Sequence, residues 1–238
     1  MLPEVVRRII DTFKCDYIQT YGMTETSPYL TMSILKHHLQ ELPWEQQLAF
    51  KASTGREFLN VSLRVVDEQG REVARDNQQV GEIIVKGDIV TPGYWNLPEE
   101  TRKAIRNGWL YTGDLAVVNE EEYVTIVDRK KDMILTGGEN VYSTEVENIL
   151  YSHPSVLEAA VIGIPDAKWG EAVAAFVVLK PGKTAMEQEI IAHCKKNLAH
   201  YKAPKMVQFL DALPKTGSGK IYKKGLREFQ SPAGRKVN

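Results

Sequence analysis

The chain has 238 residues, enough for one large domain or two smaller ones. Its 43% hydrophobic and 26% charged residues are those of an ordinary globular protein. A formal net charge of −1 gives the whole molecule no charge-driven affinity for nucleic acid or an anionic membrane.

The opening segment MLPEVVRRIID is an amphipathic helix pattern and not a signal peptide. Pro3 suits a first helical turn, and Val5, Val6, Ile9, Ile10 and Phe13 follow helical spacing. Next comes YIQTYGMTETSP, a short apolar stretch running into a polar turn. From about residue 50 to 127 the pattern changes to short strands. VSLRVVDEQGREV reads as a hairpin turning at Asp67–Gly70, and VGEIIVKG, NGWLYTGDLAVV and EYVTIVD are further strands. Together they predict an antiparallel sheet or open barrel. DRKKD, residues 128–132, is a charged break.

Beyond the break, Thr144 and Glu147 have capping-box spacing ahead of the helix TEVENILYSH. EAAVIGIP and AVAAFVVLK are buried-type strands. The run AVAAFVVL is far too short to span a bilayer. Thr184 and Glu187 repeat the capping box before a helix reaching about Leu198. These elements predict a small α+β domain over about residues 133–225. Cys15 and Cys194 lie far apart without metal-ligand spacing and read as reduced thiols of a cytoplasmic protein.

Four stretches carry candidate chemistry, each with an ordinary alternative. YGMTE, residues 21–25, offers an aromatic to stack on a base, a hydroxyl for a phosphate and one carboxylate for Mg²⁺ shared with phosphates; a polar turn is the alternative. In GWLYTGDL, Asp114 is placed to accept two hydrogen bonds from a ribose diol, or to make an Asx turn. Gly137 and Gly138 in ILTGGENVYSTEVE permit close approach of a ligand, or a tight turn. In PKTGSGK, Lys220 follows a glycine hinge and reads as a delivered charge or a frayed tail. A P-loop is excluded there, because Pro214 stands where its first Gly belongs and Ile221 follows the lysine. From Lys215 onward seven Lys or Arg face one acid, Glu228: a phosphate-attracting patch or a solvated tail.

In their order and spacing, YGMTE, GWLYTGD, DRKKDMILTGGENVYSTEVE and PKTGSGK resemble the adenylate-forming superfamily of acyl- and aryl-CoA synthetases, peptide-synthetase adenylation domains and luciferases. The resemblance runs from about residue 10 to 228. It implies a mixed α/β and α+β fold. Residues 1–130 would be the C-terminal part of the large domain, with a strand-rich, β-barrel-like subdomain, and 131–238 a small mobile lid domain hinged near Lys131.

It also implies ATP/AMP, Mg²⁺ and coenzyme A as ligands and a carboxylic acid as substrate. Tyr21 would stack on adenine, with Gly22 beside it in the same motif. Thr24 would contact the α-phosphate and Glu25 would ligate Mg²⁺. Asp114 would hold the ribose hydroxyls, assisted by Arg129. Gly137 and Gly138 would line the pantetheine tunnel. Lys220 would bridge the acyl carboxylate and the α-phosphate. Ser143 departs from the proline that often follows the tyrosine.

No Ser/Thr/Gly-rich phosphate loop ending in Pro-Lys-Gly precedes YGMTE. The expected role is therefore the C-terminal part of an ATP-dependent acyl-CoA ligase, inactive alone in adenylation. A fatty acid is the first choice of substrate and an aromatic acid the second. A non-catalytic module that self-associates through exposed apolar surface is the alternative from a different class. A nucleic-acid partner finds no recognition motif.

Overall fold

The computed structural model of the protein describes residues 3–230. The chain divides into two compact units, one ending at Lys130 and one starting at Lys131.

The first unit opens with helix α1 (Pro3–Phe13), followed by strand β1 (Thr20–Tyr21), a 3₁₀ turn (Thr24–Thr26) and β2 (Thr31–Met32). A second 3₁₀ turn (His37–Glu41), helix α2 (Trp44–Ala52) and β3 (Arg56–Glu57) complete this part. β1, β2 and β3 form a short antiparallel sheet. Of the α1 stripe, Val6 is buried against Leu48 and Ala52 of α2, whereas Phe13 is 71% exposed.

The strand-rich part follows: β4 (Val61–Val66), β5 (Gly81–Gly87), α3 (Pro98–Ala104), β6 (Ile105–Arg106), β7 (Trp109–Val118) and β8 (Val124–Arg129). They form one antiparallel sheet in the order β4-β5-β7-β6, with β8 also on β7, curled into a half-barrel. The turn predicted at Asp67–Gly70 is present: the Gly70 amide donates to the Asp67 carbonyl, and Val73 pairs back to Val65. Alternating inward residues Val65, Ile83, Val85, Leu110, Ala116 and Val124 make the core.

In the second unit β9 (Ile134–Thr136), β10 (Glu139–Val141), α4 (Ser143–Tyr151), β11 (Val156–Asp166), β12 (Gly170–Leu179), α5 (Glu187–Asn197), β13 (Met206–Phe209) and α6 (Lys223–Gln230) follow in order. The sheet runs β10-β9-β12-β11, with β13 parallel to β12. Both of its faces are covered, which explains the unbroken apolar run in β12. Val173, Ala175 and Val177 pack toward Val146 and Leu150 of α4 and Ile190 of α5. The alternate residues Ala174, Phe176 and Val178 pack toward Leu213 and Leu226.

Both predicted capping boxes are displaced. α4 starts at Ser143 behind Tyr142, so Thr144 lies inside the first turn. The Glu147 carboxylate accepts from the Val161 amide at 2.8 Å and pairs with Lys223 at 2.8 Å. α5 starts at Glu187 behind Met186, and it is Glu189 that reaches back to the Met186 amide. Tertiary partners claimed one glutamate, and the apolar Met186 claimed the cap position of the other helix.

Candidate functional site

In the first unit the residues of YGMTE and GWLYTGD come together. β1 presents Tyr21, whose carbonyl accepts from the Leu30 amide at 2.7 Å. Gly22 lies against the returning chain: a Cβ there would sit 1.5 Å from the Pro28 carbonyl oxygen. No side chain fits, and this is why the turn carries glycine.

Asp114 is delivered by an irregularity in β7. The pairing of β5 with β7 slips between Glu82 and Ile84, so Thr112–Asp114 bulge out of the ladder around Gly113 at φ +75°. The Thr112 hydroxyl accepts from the Asp114 amide at 3.1 Å, and Glu82 accepts from the Gly113 amide at 3.1 Å. Glu82 also pairs with Lys130 at 2.8 Å, and the Lys130 amide donates to the Gly113 carbonyl. The bulge is thus bolted from two sides, with Glu82 a buttress that motif reading missed. Its signal was an acid next to the apolar run Ile83–Val85 within one strand, GEIIVKG.

The Asp114 side chain is mostly buried and meets two partners. The Tyr21 hydroxyl donates to Oδ2 at 2.5 Å, and Arg129, directly across on β8, approaches Oδ1 at 3.4 Å. Burial, then the Asp114 charge, push the Tyr21 phenol far above its ordinary range, so it stays a donor. A carboxylate has room for about four hydrogen bonds, so Asp114 keeps acceptor capacity for a diol.

Thr24 is exposed on the 3₁₀ turn, and its hydroxyl has no partner among the described residues. The neighbouring Thr26 is the buried one; its Oγ joins the Met23 amide and carbonyl. Glu25 is half-buried. Its Oε1 accepts from the Tyr94 phenol at 3.0 Å, and Oε2 takes no partner among the described residues. One hard oxygen, completed by phosphates and water, is a donor set that suits Mg²⁺.

The second unit holds the remaining candidates. Gly137 and Gly138 form the turn between β9 and β10 at φ +61° and +87°. A Cβ on Gly137 would meet the Trp169 ring at 2.8 Å, whereas nothing lies within 4 Å of one on Gly138. The Trp169 indole is 42% exposed, with Lys168 and Lys205 over the ring at 4.6 and 5.2 Å. Trp169, 32 residues past Gly137, escaped sequence reading because a single tryptophan on a loop carries no pattern.

PKTGSGK is not a frayed tail. Lys215 and Ile221 pair, the Thr216 amide donates to the Lys220 carbonyl at 2.8 Å, and Gly219 turns the hairpin at φ +81°. Lys215 fastens it to Glu158 at 2.5 Å. Among the described basic residues of this run, Lys223 pairs with Glu147, Arg227 with Asp132 and Lys224 with Glu228. Lys220 alone has no carboxylate and is exposed. The run is therefore a set of structural ion pairs around one free ammonium. Arg235 and Lys236 lie outside the described residues.

Lys131 is exposed at the start of the unit, and its carbonyl accepts from Arg227 of α6 at 3.3 Å. Ser143, in place of the family's common proline, is fully buried, and its Oγ accepts from Lys223 at 2.7 Å. The serine thus fastens the start of α4 to the start of α6.

Residues 1–95 match the family described as AMP-binding enzyme, and residues 145–220 match the AMP-binding enzyme C-terminal domain. The chain is 46% identical over 213 residues to probable acyl-activating enzyme 8 of Arabidopsis thaliana, covering 88% of this chain and 39% of that protein. It is 39% identical to the peroxisomal benzoate–CoA ligase of the same plant, covering 89% and 39%. It is 42% identical to 2-succinylbenzoate–CoA ligase of Bacillus mycoides, covering 89% and 41%. The ATP-bound structure of MatB from Rhodopseudomonas palustris superposes with a TM-score of 0.84 at 36% identity, over 98% of this chain and 44% of that one. The chain thus spans about two fifths of the length of these relatives. It belongs to the adenylate-forming, AMP-binding enzyme family that includes the acyl-activating enzymes and CoA ligases.

Proposed function

We propose that the chain acts as the C-terminal part of an ATP-dependent carboxylic acid–CoA ligase. The observation that carries this reading is the meeting of Tyr21, 93 residues upstream, with Asp114 and its cross-strand neighbour Arg129 around one mostly buried carboxylate. Asp114 accepts hydrogen bonds from the ribose diol while Tyr21 and Arg129 hold its orientation, and the Tyr21 ring offers a face for adenine.

The carboxylate of the acid attacks the α-phosphorus of ATP, and pyrophosphate leaves with the bonding electrons. Lys220 places its free ammonium between the acyl carboxylate and the α-phosphate, where negative charge builds. Thr24 donates to an α-phosphate oxygen, and Glu25 anchors Mg²⁺. The metal, when bound, neutralises the phosphate charge. In the second step the thiol of CoA attacks the acyl carbon and AMP departs. Gly137, Gly138 and Trp169 form the surface proposed for pantetheine, with Lys168 and Lys205 at its side. Lys131 is the proposed hinge that exchanges the two steps.

A fatty acid is the first reading of the substrate. The benzoate and succinylbenzoate ligases among the relatives favour an aromatic acid as the second. The two thiols support a reducing compartment and a cytoplasmic location. No helix among the described residues is long and apolar enough to cross a membrane.

The test is Asp114→Asn, measured by AMP binding to the chain. The variant should bind AMP about 10- to 100-fold more weakly, the worth of a hydrogen bond to a charged group. 2′,3′-Dideoxy-AMP should bind wild type weakly and lose nothing more in the variant. An equal loss for both nucleotides would refute the ribose contact.

A further inference from the structure

We propose that Tyr94 is a positioning residue that sets the Glu25 carboxylate for a divalent cation; this rests on the reading of Glu25 as the cation ligand. Tyr94 lies 69 residues from Glu25, in the loop TPGYWNLPEET. Its phenol donates to Oε1 at 3.0 Å and leaves Oε2 without a partner among the described residues. The backbone is held by the same loop, since the Thr91 amide donates to the Glu25 carbonyl at 2.8 Å. One short loop therefore grips both the main chain and one carboxylate oxygen of the same residue.

The loop is itself fastened, so the grip is rigid. The Thr91 hydroxyl donates to the Gly93 carbonyl at 3.1 Å. The Tyr94 amide donates to the Thr101 hydroxyl on α3 at 2.9 Å, and that hydroxyl donates to the Leu97 carbonyl at 3.0 Å. Gly93 makes this closure feasible: it holds φ +154°, and a Cβ there would meet Thr101 Cγ2 at 2.7 Å. Tyr94 is thus locked to a helix before any ligand binds.

A carboxylate on a free glutamate samples several rotamers, and a metal must freeze one of them. Freezing one such side chain in advance is worth about a three- to tenfold gain in affinity. Tyr94→Phe keeps the ring and removes only the hydrogen bond.

The experiment titrates Mn²⁺, as a probe for Mg²⁺, into the chain saturated with ATP and follows water-proton relaxation. Wild type, Tyr94→Phe and Glu25→Gln are compared, and metal-free ATP affinity and melting temperature are recorded for each. The expected result is Mn²⁺ binding that Tyr94→Phe weakens about three- to tenfold and Glu25→Gln weakens further, with metal-free ATP affinity and melting temperature of Tyr94→Phe unchanged. No protein-bound Mn²⁺ in wild type, or none lost in Glu25→Gln, overturns the ligand reading of Glu25 and the proposal with it. Loss in Glu25→Gln but not in Tyr94→Phe overturns the positioning role alone. If Tyr94→Phe also loses metal-free ATP affinity or melts lower, its role is structural and the proposal fails.

Discussion

Lys220→Ala is expected to slow acyl-adenylate formation by about 10²–10³-fold, or roughly 3–4 kcal/mol, the cost of removing one preorganised charge from a displacement at phosphorus. The setting is the protein completed with the part of its relatives' length that this chain does not span. Transfer of the acyl group from supplied acyl-adenylate to CoA should remain nearly intact. The asymmetry follows from where the lysine sits. Its hairpin is closed by its own hydrogen bonds and anchored through Lys215 to Glu158, so the ammonium rides on a defined tip of the second unit. Its basic neighbours Lys223 and Arg227 are occupied by Glu147 and Asp132 and cannot substitute for it. A compact positive charge that serves one half-reaction belongs on a part that leaves for the other. Rates of the two half-reactions, measured separately, decide the matter. An equal loss in both would refute the one-step role.

The second large effect is on stability and comes from Gly22. An added methyl would lie 1.5 Å from the Pro28 carbonyl oxygen and 2.6 Å from its carbon, both backbone atoms. Backbone cannot rotate away as a side-chain end can, so Gly22→Ala must part β1 from the Pro28–Leu30 segment. The 2.7 Å bond from the Leu30 amide to the Tyr21 carbonyl opposes that movement. We expect a loss of about 3 kcal/mol or more, which for a chain of this size lowers the melting temperature by roughly 6–12 °C. AMP binding should fall as well, because Tyr21 and Glu25 flank the displaced segment. Gly113→Ala is the natural contrast. Its φ of +75° makes alanine strained, but nothing lies within 4 Å of the new atom, so the cost should be about 1 kcal/mol. Thermal melts of the two variants compare contact with strain directly. An unshifted melt for Gly22→Ala would contradict the packing described for the YGMTE turn.

Much of the architecture was legible because it is local. Short strand patterns set between turns marked the strands from Val61 to Arg129, Asp67–Gly70 marked their first turn, and the unbroken run in β12 marked a buried strand. The order of four motifs pointed to the candidate site residues. What stayed illegible depends on partners distant in sequence. Glu147 has capping-box spacing from Thr144 but is taken by Lys223 and the Val161 amide. Tyr94 and Glu82 look like ordinary loop and strand residues until the fold sets one against Glu25 and the other against Gly113. The bulge that aims Asp114 is a property of pairing between two strands, and neither strand alone shows it. The basic run left a phosphate-attracting patch and a solvated tail both open, because carboxylates such as Glu147 and Asp132 lie far upstream of it.

The central proposal is that Asp114 binds ribose and Lys220 serves adenylation in a protein completed by the part of its relatives' length that this chain does not span. ATP–pyrophosphate exchange tests it most directly. Fatty and aromatic acids are supplied to the chain alone and to the chain completed with that remaining part. No exchange by the chain alone, and acid-dependent exchange on completion, is the expected result. Exchange by the isolated chain, or none after completion, would contradict the claim.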